Sequence, residues 1–85
     1  MKYVIAETSH EGDVAIMFPN HLDHDKMAAR IPGYLKSKGA GFIQLTNDEH
    51  GNPVPHCYGK SISLNVASRP EDSKHIQKEL ERGSW

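Results

Sequence analysis

The stretch Cys57-Tyr58-Gly59-Lys60-Ser61-Ile62-Ser63-Leu64-Asn65-Val66-Ala67-Ser68-Arg69-Pro70-Glu71 decides how the fold is read. Its middle alternates strictly, with Ile62, Leu64 and Val66 on one side of an extended chain and Ser61, Ser63 and Asn65 on the other. A period of two is that of a strand with one buried and one wet face. Ser68-Arg69-Pro70-Glu71 then matches a capping box, with Pro70 in a first turn where its missing N–H loses no bond. The stretch predicts a core strand that leads directly into a helix.

That helix is expected over Arg69 to Arg82, with Ile76 and Leu80 as its apolar pair and Lys74, Gln77, Lys78, Glu81 and Arg82 solvated. Gly83 reads as the helix stop and Trp85 ends the chain. Two apolar side chains are too narrow a stripe to hold a helix alone. They are expected to meet Ile62, Leu64 and Val66 on the sheet.

Toward the N-terminus, the same strand is expected to span Val54 to Val66, with Gly59 marking a bulge. Pro53 and Pro55 cannot donate to a ladder, so its beginning belongs at an edge. Asn47 to Pro53 is dense in turn formers. Phe42 to Thr46 predicts a strand, preceded by a flexible loop over Tyr34 to Gly41. A short helix is expected over His24 to Ile31, with Asp23 as N-cap, Asp25 in its first turn, and Met27, Ala28 and Ile31 as its apolar stripe. Pro32-Gly33 ends it. Lys2 to Thr8 and Val14 to Phe18 are apolar runs joined by the polar, glycine-containing Ser9 to Asp13, which predicts a β-hairpin.

The order is ββαββα. It predicts an α+β domain over residues 1–85: a four-stranded, mainly antiparallel sheet with two helices, both on one side. The chain of 85 residues buries roughly 60–65% of its unfolded surface, so its core is thin and a partner subunit is a natural way to extend it. A formal net charge of −1 argues against electrostatic binding to nucleic acid or to an anionic membrane. One cysteine, Cys57, cannot form an internal disulfide, and no secretory or membrane-spanning pattern is read, so a reducing cytosol is the expected compartment.

Constellations that carry chemistry are weak. His21 and His24, flanked by Asp23 and Asp25, with His56-Cys57 elsewhere, could be drawn as a metal site. However, His21 precedes the helix, Asp23 caps it, and no second spaced pair completes a zinc pattern. Cys57 and His56 are neighbours on a strand, so they point to opposite faces and form no nucleophile–base dyad. Cys57 reads as a small buried apolar residue. Gly39-Ala40-Gly41 lacks the following Lys-Ser/Thr and helix of a phosphate loop. Arg30, Lys36, Lys38 and Lys60 are the basic residues available to a phosphate backbone. No catalytic, cofactor-binding or metal residue is assigned, and no enzyme is expected.

An ordered set of short pieces carries a resemblance. It comprises the apolar run ending Phe18-Pro19, then His24-Asp25-Lys26-Met27-Ala28, Ala40-Gly41-Phe42, Cys57-Tyr58-Gly59-Lys60-Ser61-Ile62-Ser63-Leu64, and Ser68-Arg69-Pro70-Glu71-Asp72. Together they resemble a family of small uncharacterised proteins encoded by tailed bacteriophages and prophages. This chain departs from that pattern in longer stretches around Pro32 to Lys38 and Asn47 to Pro55. The resemblance implies a compact α+β protein in the cytoplasm of a bacterial host, and it implies no activity or site residues. The expectation is an accessory protein acting by protein–protein interaction with a host or phage protein, with a homodimer as an option and no membrane partner. Nucleic-acid binding and histidine-based metal binding are the alternatives.

Overall fold

The structure is a computed structural model that describes residues 1–82. Gly83 and Trp85, read above as a helix stop and chain end, lie outside the described residues. The N-terminal hairpin forms as its apolar runs dictate. β1 (Lys2–Thr8) pairs antiparallel with β2 (Gly12–Phe18), from Lys2 opposite Phe18 to Thr8 opposite Gly12. Thr8 Oγ1 closes the turn, donating to the Gly12 carbonyl at 2.8 Å and accepting from the Glu11 N–H at 3.1 Å.

α1 (His24–Ala28) is shorter than the stripe Met27, Ala28, Ile31 suggested. Asp23 does occupy the N-cap position, in extended backbone, but its side chain makes no capping bond. Its carboxylate lies 3.5 Å from Lys26 Nζ instead. β3 (Tyr34–Asn47) is fourteen residues long and pairs with β1 on the side opposite β2. The expected flexible loop over Tyr34 to Gly41 is therefore strand. It reads as a loop because its ladder is irregular: Leu35 and Lys38 have no partner on β1, where the register shifts. A period-two pattern cannot survive two such shifts.

β3 turns at Asp48, whose carboxylate accepts from the N–H groups of His50 and Asn52 at 2.8 and 2.9 Å. These bonds, that from Asn52 foremost, hold its pKa below the usual value. β4 (Pro53–Tyr58) returns antiparallel to β3. The sheet order is β2-β1-β3-β4, antiparallel throughout.

The single strand expected from Val54 to Val66 is broken. Gly59, at φ +77°, turns the chain off the sheet edge, a conformation that glycine adopts without a Cβ clash. β5 (Lys60–Ser61) and β6 (Val66–Ala67) then form a separate two-stranded ribbon closed by residues 62–65. The alternation of Ile62, Leu64 and Val66 therefore does not mark a strand face. Ile62 is 86% exposed, whereas Ser61 is buried, its Oγ accepting from the Leu64 N–H at 3.2 Å.

α2 (Asp72–Glu81) starts three residues later than expected, and the Ser68–Glu71 capping box does not form. Glu71 is the N-cap but is already helical in backbone, with no side-chain bond. Asp72 supplies the carboxylate, accepting from the Arg69 N–H at 3.0 Å.

The two helices cover opposite faces of the sheet, not one. On the first face Ala28 and Ile31 pack with Val4, Ala6, Phe18 and Ala40, joined by the half-buried Leu64 and Val66. On the other, Ile76 packs with Tyr3, Ile5 and Ile43, and Leu80 and Cys57 lie against them. Leu64 and Val66 consequently never meet Ile76 and Leu80: the sheet lies between them. Residues Tyr3 to Ala6 are fully buried because β1 is central and covered on both sides. This explains why β1 is a continuous apolar run rather than an alternating one. Burying Ile76 fully contributes roughly 1.5–3 kcal/mol, which anchors α2 to the sheet.

Candidate functional site

The surface with the strongest case for function lies around β2. A groove of about 410 Å³ opens between β2, the end of β1 and the segment that follows α1. Val14, Ile16, Met17, Met27, Ile31 and Pro32 give it an apolar lining, while Glu11 and Arg30 place one charge of each sign at it. β2 itself is an outer strand of the sheet. Its residues Val14 to Met17 are only half-buried although all four are apolar. A second, smaller apolar hollow of about 160 Å³ borders the other side of β2, lined by Met1, Met17, Phe18, Ile43, Leu45 and Leu80. Methionines at both hollows suit a contact surface that adapts to its occupant.

A second cluster resembles an active site in composition and is structural in geometry. Asp72 is fully buried beneath α2. Its Oδ2 accepts from Tyr3 Oη at 2.5 Å and from the Arg69 N–H at 3.0 Å, and its Oδ1 accepts from Arg69 Nε at 2.9 Å. Arg69 Nη2 lies 2.8 Å from Oδ1 as an ion-pair contact, without a hydrogen bond of its own. Burial, then the bond to Asp72 and its charge, push the Tyr3 phenol far above its usual pKa, so Tyr3 is a neutral donor at any physiological pH. Cys57 lies beside the cluster. Burial pushes its thiol up, and its backbone N–H donates to Ser73 Oγ at 3.2 Å. A raised thiol pKa disfavours the nucleophilic thiolate. The carboxylate is consumed by its donors, and the assembly acts as a polar rivet between α2 and the sheet.

The residues that sequence reasoning considered for metal or phosphate are dispersed. His24 is buried between the rings of Phe18 and Phe42, each edge-on at 5.6 and 5.8 Å between centroids, and its Nε2 bonds the Gly41 carbonyl at 2.9 Å. His56 is exposed on β4, with Nε2 2.9 Å from Thr46 Oγ1, and His21 is exposed before α1. Among the described residues no group of three His, Cys, Asp or Glu side chains is placed to hold a metal ion. Cys57 and His56 do point apart on β4: Cys57 packs toward α2 while His56 faces solvent.

Of the basic residues, Arg30 lines the groove beside β2 and Lys60 a hollow near His24 and Phe42. Lys38 is held by Asp13, at 3.0 and 3.2 Å, with Glu7 3.8 Å away. Lys36 is exposed on β3 opposite Glu7. They form no continuous cationic track.

Two features were missed in the sequence. The Tyr3–Asp72 bond had one available signal: a tyrosine inside an apolar strand carries a hydroxyl that needs a buried partner. The exposed β2 edge had none: Val14 to Phe18 is apolar throughout and contains neither proline nor lysine, the residues that blunt sheet edges, so nothing local marks it as one.

No protein-family model, no curated protein and no solved structure matches the chain. No helix among the described residues is long and apolar enough to cross a membrane.

Proposed function

We propose that this protein is a small phage or prophage accessory factor that acts by protein–protein interaction in the cytoplasm of a bacterial host, and not by catalysis. The apolar groove beside β2 carries the protein–protein interaction in this reading, and the phage origin rests on the sequence resemblance. Met27, Val14 and Ile16 present apolar surface at a point where the described residues supply no cover. An apolar hollow flanked by Arg30 and Glu11 suits a partner segment that inserts a large apolar side chain and matches the two charges at the rim. The Tyr3–Asp72–Arg69 cluster, where catalytic residue types converge, has its carboxylate committed to structural donors.

The test is affinity purification of the tagged protein from bacterial cells, beside a Met27→Glu variant. Met27 is half-buried at the groove, so the substitution alters the lining without emptying the core. A partner recovered with the unaltered chain and lost with a folded Met27→Glu variant supports the reading. Equal recovery with both, or no partner with either, overturns it.

A further inference from the structure

We infer that the outer edge of β2 is a two-fold self-pairing surface, on which two copies of this chain join β2 to β2 in antiparallel register about Ala15 to make one continuous eight-stranded sheet. This rests on the reading of β2 as a contact region and names what covers its edge.

The direction of the amides limits the register, and the bounds of β2 choose within it. The Met1 carbonyl accepts from the Ile43 N–H at 2.8 Å, so odd-numbered residues of the first strand turn their backbone polar groups toward β3. Even-numbered residues of β1 must then turn theirs toward β2, because successive peptide groups alternate. The pairing of Val4 with Ile16 and of Ala6 with Val14 carries this across, so even residues of β2 are spent on β1. The N–H and C=O groups of Asp13, Ala15 and Met17 point outward. A two-fold axis at Ala15 sets Ala15 against its own mate and Asp13 against the mate's Met17. All three outward residues thereby fall in hydrogen-bonded positions, for about six new bonds. An axis at Val14 or Ile16 would also set outward residues against outward ones, but it would pair only two of the three within the strand, for about four bonds. An axis midway between residues would oppose outward groups to groups already used.

The side chains agree with that register. Val14 and Ile16 alternate across the axis on the face of the groove, so the two grooves run together beside the joint. Ala15, the smallest side chain in the run, sits at the axis on the other face. The one charged side chain on the strand is Asp13, already paired with Lys38 at 3.0 Å. In this register the two Asp13 residues stand four positions apart, about 13 Å at ~3.3 Å per residue, beyond a Debye length of about 8 Å. Like charges therefore raise no barrier. The opposite edge differs: β4 carries Pro53 and Pro55, which remove donors from any added ladder.

Sedimentation of the untagged full chain across a dilution series, with amide hydrogen exchange, tests the inference. A monomer–dimer equilibrium is expected, with the amides of Asp13, Ala15 and Met17 gaining protection as dimer forms. Ala15→Pro removes an outward N–H and no bond to β1, so it should yield a folded chain whose dimer dissociation constant rises by roughly tenfold or more. A wild-type monomer at every concentration overturns the inference. So does a dimer whose three odd amides exchange freely, or a folded Ala15→Pro variant that dimerises as well as wild type. A monomeric wild type that still captures a partner through Met27 overturns self-pairing alone and leaves the proposed function standing.

Discussion

Tyr3 Oη donates to Asp72 Oδ2 at 2.5 Å, joining residues 69 positions apart through the sheet–helix interface. The bond ties the first strand to the last helix, and both residues are fully buried. Replacing Tyr3 by Phe keeps the ring and removes one of the donors that satisfy a buried carboxylate. The loss is expected to be about 1–3 kcal/mol, the cost of an under-satisfied buried group. Denaturant titration at neutral pH reads it directly as a lower midpoint at unchanged slope.

The same residue sets an alkaline limit. Burial, then the bond to Asp72, raise the Tyr3 phenol above its unfolded value, and burial raises the Cys57 thiol. Each group binds its proton more tightly when folded, so its contribution is complete below the unfolded pKa and is lost as pH rises above it. Stability should therefore fall from about pH 8.5, where unfolded thiols ionise, and more steeply above about pH 10, where unfolded phenols do. Tyr3→Phe should flatten the second limb and Cys57→Ser the first. Melting temperature against pH for the three chains checks both, and an unchanged upper limb in Tyr3→Phe would refute the assignment.

Gly39 is the seat of the Asp72 carboxylate: a Cβ there would collide with both of its oxygens and with its Cγ. The glycine lies opposite Ile5 in the centre of the sheet, where neither neighbour can withdraw. Gly39→Ala should destabilise by about 1–3 kcal/mol, the usual cost of overpacking a core, despite the intrinsic advantage of alanine in a strand. In the double variant with Asp72→Ala the clash disappears, so the two changes should be strongly non-additive in a denaturant cycle.

Local chemistry determined what was legible in the sequence. The hairpin, the turn at Asp48, the six main elements and their antiparallel sheet follow from apolar runs, prolines and turn residues acting over a few positions. The errors lie where tertiary contacts override the pattern. Tyr34 to Gly41 pairs with β1 despite two register shifts, and Gly39 is there for Asp72 and not for flexibility. Gly59 does more than bulge a strand: it ends one. The helices take opposite faces because β1 is apolar on both, through Val4 and Ala6 on one side and Tyr3 and Ile5 on the other. The continuous apolar run of the first strand already points to cover on one face and partly on the other, whereas the side that each helix takes depends on tertiary packing. For the candidate surface, the apolar residues of β2 were visible, but their position at an edge is a fact of strand order, which no local pattern encodes.

The alternation in the ribbon has a direct test. Ile62 is 86% exposed, so Ile62→Asp should change stability by no more than about 0.5 kcal/mol. Leu64 is half-buried against the cluster of Val4, Phe18 and Ala28, so Leu64→Asp places a carboxylate on apolar surface and should destabilise markedly. A true strand with Ile62 and Leu64 on one buried face would make the two variants equally damaging. Comparing their thermal melts separates a ribbon from a strand.

His24 offers the last prediction. Its ring fills the space between Phe18 and Phe42, and its Nε2 satisfies the Gly41 carbonyl at 2.9 Å. His24→Phe keeps an aromatic in that slot and removes the polar partner, whereas His24→Ala also empties it. If the hydrogen bond dominates, both variants should fall by about 0.5–1.5 kcal/mol, the net contribution of a typical hydrogen bond. If packing dominates, His24→Phe should retain most of the stability and His24→Ala should lose more. The sheet geometry favours the second outcome: Gly41 lies opposite Tyr3, whose N–H turns toward β3, so its carbonyl keeps a backbone donor when the imidazole is gone. The faster exchange of nearby amides in both variants, measured under native conditions, would locate the loss at the junction of α1 with β3.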